Sequence, residues 1–275
     1  MIIQNQLPDL LLAMGFTKKA ASYIKTIGAA TLEINTAKHE IIYPEGIVIN
    51  ERQTCNFSSN ENFVVLECVH RLLEKGYKPE HIELEPKWKV GHGASGGRAD
   101  ILVKDNSGRA LLIIECKTAG LEFKRAWNKT LQDGDQLFSY AQQISETQFL
   151  CLYASDFEAG TLSYQSYLIA HRDNPKYLEE NPGFKSFKDT TDVKERFAVW
   201  RDTYKLDYRT QGLFETNIQP YHVGKDKYNL ADLHSIAAAD QQKKYHEFAT
   251  ILRQHNVSGR ENAFDKLINL FLCKL

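Results

Sequence analysis

The stretch Gly97-Arg98-Ala99-Asp100-Ile101-Leu102-Val103-Lys104-Asp105-Asn106-Ser107-Gly108-Arg109-Ala110-Leu111-Leu112-Ile113-Ile114-Glu115-Cys116-Lys117-Thr118 contains two apolar, strand-forming runs, at 101–103 and 111–114. Between them, residues 104–108 are turn chemistry, with Asn106 and Gly108 available for positive φ. The pattern predicts a hairpin of two buried strands. Its unusual feature is the charge at the strand ends. Asp100 opens the first strand, and Glu115 and Lys117 close the second. Ionised groups at the end of a core strand are costly unless they are paired or bound to a metal. In Glu115-Cys116-Lys117 the acid and the amine are two residues apart, so a strand points both to one face.

Asp100, Glu115 and Lys117 together suit a divalent cation with a water held beside it. Mg²⁺ is a hard cation that takes carboxylate oxygens. Such a metal acidifies a water and neutralises phosphodiester charge, and a lysine there orients the water or stabilises the transition state. The plainer alternative is an Asp–Lys or Glu–Lys ion pair capping a strand.

Asp100 followed by Glu115-Cys116-Lys117 resembles the signature of the PD-(D/E)xK nucleases, with Ala99 where that family often has proline. Gln136-Leu137-Phe138-Ser139-Tyr140 looks like the Gln-x-x-x-Tyr motif of the family's RecB-like branch, and Glu61 sits where the family places a helix-borne acid near the metal. All four elements, in this order, resemble the N-terminal nuclease domain of type I restriction subunits and fused restriction–modification enzymes. The resemblance covers about residues 58–170. It implies a mixed α/β fold with a central sheet flanked by helices, and cleavage of double-stranded DNA assisted by Mg²⁺, with Mn²⁺ as substitute. By the same resemblance Asp100 and Glu115 would hold the metal and Glu61 would complete its shell. Lys117 would position the attacking water, and Gln136 and Tyr140, with Arg98 and Lys124, would support the site or touch DNA. Methylation, target recognition and any ATP-driven translocation would belong to further domains or subunits.

Composition is consistent with this and excludes several classes. The 275 residues carry a net charge of −1, with 43% hydrophobic and 25% charged residues, so a constitutively basic nucleic-acid coat is ruled out and a local basic groove is not. Five cysteines (Cys55, Cys68, Cys116, Cys151 and Cys273) never form Cys-x-x-Cys, which argues against a disulfide framework or a zinc knuckle. There is no signal-peptide pattern and no apolar run near the length of a membrane span. The expectation is a soluble cytoplasmic protein.

Four regions follow from the rest of the chain. Residues 1–57 read as a helix/hairpin extension: an apolar helix at 7–14 stopped by Gly15, a second short helix capped by Thr17 and reaching Lys25, then a hairpin of 30–34 with 40–43. It is read as a packing extension, with a DNA-contacting arm as the alternative. In the nuclease core at 58–170, Ser58 or Ser59 caps a helix that carries Glu61 and ends at Gly76. Glu67 lies one and a half turns on and points elsewhere. Residues 82–90 read as a strand, with Lys87 and Lys89 flanking Trp88. A helix at 121–131 bears Lys124, Arg125 and Lys129, and Asp135 caps another to about Ile144. Strands at 148–154 and 163–170 surround a Phe157–Gly160 turn.

Gly91-His92-Gly93-Ala94-Ser95-Gly96 matches the dinucleotide-binding Gly-x-Gly-x-x-Gly pattern. A strand follows it at once, leaving no room for the helix that pattern requires. Residues 171–225 form an irregular connecting region with a helix at 194–204. Residues 226–275 read as helices at 230–252 and 261–275. The apolar stripe Phe264, Leu267, Ile268, Phe271 and Leu272 seeks either a partner or its own core. Residues 258–267 resemble the opening of the helical domain before adenine-methyltransferase modules. Outside the nuclease reading stand a non-catalytic DNA-binding or assembly module with the same fold and, on the glycine loop alone, a nucleotide-binding oxidoreductase.

Overall fold

The computed structural model describes residues 2–86 and 98–223, together with Lys243, His246 and Thr250. The chain divides into two compact units, Met1–Lys225 and Asp226–Leu275. The 87–90 part of the strand expected over 82–90, the glycine loop at 91–96, and the helices and apolar stripe of the second unit lie outside the described residues. Among the described residues no helix is long and apolar enough to cross a membrane.

The first unit begins with α1 (Leu7–Ala13), which buries Leu7, Leu10 and Leu11 and stops at Gly15, where φ is +81°. The helix expected to start at Thr17 is not formed. Residues Thr17–Lys19 and Ser22–Ile27 are strands β1 and β2, joined through Ala20 at positive φ. They continue into β3 (Ala30–Asn35) and β4 (Glu40–Ile42) as a four-stranded antiparallel meander. The physical reason is pairing: Ser22 through Ile27 match Asn35 back to Ala30 residue for residue, which so short a lone helix could not offset.

The second sheet has six strands: β5 (Val48–Ile49), β6 (Ile82–Leu84), β7 (Ile101–Lys104), β8 (Ala110–Cys116), β9 (Phe149–Glu158) and β10 (Thr161–Ala170). Their order is β10-β9-β8-β7-β6-β5. β5 with β6, and β8 with β9, are parallel; the other pairs are antiparallel. The strand expected over 82–90 is shorter in its described part, because Glu85 takes a positive φ and Pro86 follows. All seven residues of β8 are buried, as a strand covered on both faces requires.

Parallel pairs need crossovers, and the helices supply them. α2 (Glu61–Lys75) connects β5 to β6, and α3 (Leu121–Asp133) with α4 (Asp135–Gln143) connects β8 to β9. One face of the sheet packs Val103, Leu112, Ile114 and Tyr153 with Phe63, Val64 and Leu72 of α2. The opposite face packs Leu102, Ile113 and Leu150 with Phe123, Trp127 and Phe138. Asp135 does not cap α4; it is the first helical residue, at positive φ, and its N–H donates to Asp133.

Beyond β10, Phe187, Phe197, Val199 and Trp200 pack on this second face, while Leu213 and Val223 join the first. α5 (Pro175–Glu180) is followed by α6 (Val193–Ala198), whose Asp192 cap accepts from the Glu195 N–H. The helix expected over 194–204 widens into a π-helical turn at Val199–Thr203, and Trp200 is fully buried against Trp127 and Phe138. Side chains of this size contribute roughly 1.5–3 kcal/mol each on burial, so the segment is part of the core.

Candidate active site

The β7–β8 register builds the site. Ile101 pairs with Ile114 and Leu102 with Ile113, so one step further Asp100 stands across from Glu115. The Cys116 N–H donates to Asp100 Oδ2 at 2.7 Å, and the Asp100 carbonyl accepts from the Glu85 N–H at 2.9 Å. The end of the second apolar run is thus stitched to the start of the first. Burial, reinforced by the like charges of Glu115 and Glu61, raises the Asp100 carboxyl well above its usual range.

Glu115 is only 3% exposed. Its Oε1 accepts from Lys117 Nζ at 2.5 Å, while its Oε2 is buried with no hydrogen-bond partner. Burial raises its pKa, and the Lys117 ammonium pulls the other way. Lys117 continues β8 by donating its backbone N–H to the Tyr153 carbonyl. Its ammonium also reaches Glu61 Oε2 at 3.5 Å. Burial works against the Lys117 charge, yet Glu115 and then Glu61 outweigh it and hold the group above the ordinary lysine range.

Glu61 comes from the opposite layer. It is the first residue of α2, and its N–H donates to Ser59 Oγ, so the expected serine does serve the helix start, one position before Asn60. Burial raises its pKa, with Lys117 opposing. An acid at a helix N-terminus also benefits from the helix dipole.

Gln136 and Tyr140 lie one turn apart on α4, and the Gln136 amide donates to the Tyr140 hydroxyl at 3.1 Å. That hydroxyl donates to the Arg98 carbonyl at 2.9 Å, two residues before Asp100. Tyr140 is buried, and burial with the nearby charges of Glu115 and Asp100 pushes its pKa up. The Arg98 side chain turns away from this point to an ion pair with Glu51 and a 3.0 Å hydrogen bond to Gln53. Lys124 is exposed on α3, as are Arg125 and Lys129. The structure therefore brings Glu61, Asp100, Glu115, Lys117 and Tyr140 together. Gln136 touches the group through Tyr140, Arg98 through its backbone, and Lys124 stands apart on the surface of α3.

Among the described residues no three His, Cys, Asp or Glu side chains gather as a ready-made metal shell. The donor chemistry still suits a hard divalent cation. Two carboxylates face each other across one strand pair, and an orphaned carboxylate oxygen in a buried setting calls for a positive partner.

Sequence reasoning weighed Glu67 but did not find the buried network around it. Glu67 on α2 is fully buried; it pairs with Arg71 and accepts from the Tyr153 hydroxyl. Arg71 also donates to that hydroxyl at 3.1 Å and lies 4.2 Å over the Tyr164 ring. The i, i+4 spacing of Glu67 and Arg71 was the available signal.

A search of curated proteins gave no match. Residues 60–153, which hold Glu61, Asp100, Glu115, Lys117, Gln136 and Tyr140, match the family model of the type I restriction enzyme R protein N terminus.

Proposed function

We propose that this chain hydrolyses DNA phosphodiester bonds as the Mg²⁺-dependent endonuclease part of a restriction–modification enzyme. The observation that supports this most directly is Glu115: one oxygen carries Lys117 and the other is buried without a hydrogen bond, across the strand pair from Asp100. Asp100 and Glu115 would hold the cation, which when bound supplies an acidified water and a counter-charge for the phosphate. Lys117 sits between two acids, so it acts as an ammonium and donates: it orients the attacking water and meets the negative charge that develops on phosphorus-bound oxygens. Tyr140 keeps the backbone ahead of Asp100 in place through the Arg98 carbonyl. Lys124 and its neighbours on α3 offer phosphate contacts at the surface. Further domains or subunits would supply recognition and methylation in a cytoplasmic setting.

Calorimetric titration with Mn²⁺ tests the centre first, because a nuclease domain separated from its partners can be silent in cleavage. Binding lost in both Asp100→Asn and Glu115→Gln supports the reading, and cleavage of plasmid DNA is then the second measurement. A native chain that binds no Mn²⁺, with or without DNA, defeats it. That result would favour the second reading, a DNA-binding or assembly module in which Lys117 simply neutralises two acids.

A further inference from the structure

Lys117 has two acidic neighbours that stand in different places. Glu115 holds the ammonium at 2.5 Å from the same strand, and Glu61 stands at 3.5 Å on α2, in the layer above. Asp100 has already turned one oxygen to the Cys116 N–H, and the described acids do not converge as a three-ligand shell. Charge balance points the same way. Three carboxylates and one ammonium leave an excess that a single divalent cation cancels. That cancellation is most local when Asp100 and Glu115 face the cation and Glu61 faces Lys117.

A cation that draws on both oxygens of Glu115 removes the nearer partner of Lys117. The ammonium is only 17% exposed, and a charge so placed needs a counter-ion. Glu61 is the other carboxylate already in ion-pair range of it. We infer that Glu61 is a positioning residue, the counter-ion that keeps Lys117 beside the reacting centre once a cation occupies Asp100 and Glu115, and is not a ligand of that cation. The inference rests on the proposed cation centre. In the cation-free protein Lys117 holds the place of the metal on Glu115. Cation binding hands it across to Glu61, closing the 3.5 Å separation to about 2.8 Å.

The test is Mn²⁺ calorimetry on the full chain with four variants: Asp100→Asn, Glu61→Gln, Lys117→Gln, and the last two combined. Asp100→Asn abolishes binding. Glu61→Gln weakens it about 10-fold, because Lys117 is then an uncompensated charge beside the cation. Adding Lys117→Gln brings affinity back to within about 3-fold of native, since a neutral amide pair replaces a neutral ion pair. Glu61→Gln abolishing binding as Asp100→Asn does, with no recovery on adding Lys117→Gln, overturns the inference and makes Glu61 a ligand. If Glu61→Gln disturbs α2 by circular dichroism, Glu61→Ser carries the same comparison. A Mn²⁺ position from anomalous scattering decides independently: Asp100 and Glu115 in contact with the ion and Glu61 on Lys117 are expected, and a Glu61 oxygen on the ion overturns it. A native chain that binds no Mn²⁺ takes down the proposed function as well, so the two failures are distinguishable.

Discussion

Glu67 and Glu115 are both glutamates in the core of the same unit, and Tyr153 of β9 borders both. Its hydroxyl serves Glu67 and its carbonyl accepts from the residue after Cys116. Their surroundings differ in one respect. Glu67 has both oxygens engaged, one by the Tyr153 hydroxyl and one by an arginine that is itself stacked on Tyr164. Glu115 has one oxygen on a flexible lysine and one buried without a hydrogen bond, with the Tyr140 side chain as its polar neighbour. A buried carboxylate whose lone pairs are all used is a structural joint, here between α2 and β9. One left half-satisfied beside a second acid is a place where the fold has accepted a cost, and such places cluster at sites of chemistry.

The comparison makes Glu67→Ala the most damaging single change to stability. It strands Arg71 and the Tyr153 hydroxyl, and should cost roughly 3–5 kcal/mol in urea unfolding while leaving any Mn²⁺ binding intact. A loss of metal binding without loss of stability would break the distinction. Glu115→Gln is the converse: Mn²⁺ affinity should fall by about 100-fold or more, roughly 2.7 kcal/mol, with little change in unfolding midpoint.

Tyr140→Phe lies between the two. It removes the donor to the Arg98 carbonyl and should cost about 1–2 kcal/mol of stability, with a weaker Mn²⁺ response than Glu115→Gln.

The pH dependence sharpens the contrast further. Because the folded Asp100 carboxyl is raised, the native state binds its proton more tightly than the unfolded chain does. The stability it contributes is complete below the ordinary aspartate range and is lost as pH rises through the raised value. Asp100→Asn should therefore stabilise the cation-free chain at neutral pH. His70 and His171, both lowered to about 4, act in the other direction. Their stability is present above the ordinary histidine range and is lost as pH falls toward about 4. The difference between native and Asp100→Asn melting curves from pH 4 to 8 isolates the aspartate. A difference that shrinks with rising pH would contradict the assignment. Lys124→Ala has the smallest effect, with no change in stability and a salt slope of DNA binding reduced by about 1 if α3 meets phosphate.

Several features were legible in the residues alone. Two apolar runs around a turn gave the β7–β8 hairpin, and helical spacing with a terminal Gly76 gave α2. The order of Glu61, Asp100, Glu115, Lys117, Gln136 and Tyr140 pointed to the family that the match over 60–153 supports. The segment from Thr17 to Lys25 reads as a helix because local signals favour a cap. It forms strands because β1 pairs with β2 and β2 with β3, partners that periodicity within the segment does not reveal. The resemblance gives Arg98 a part in supporting the site or touching DNA, and only the fold brings Glu51 and Gln53 to it from 47 and 45 residues away.

What the sequence determined by itself was the β7–β8 hairpin, α2 and the list of reactive side chains, because hydrophobic period, turn residues and motif order are properties of neighbours along the chain. The tertiary structure decided which charges meet: Lys117 with Glu61 across two layers, Tyr140 with the Arg98 carbonyl, Glu67 with Tyr153. It also decided which oxygen is left over. Whether a buried carboxylate is satisfied depends on groups that arrive from distant parts of the chain, and only packing brings them within hydrogen-bond distance.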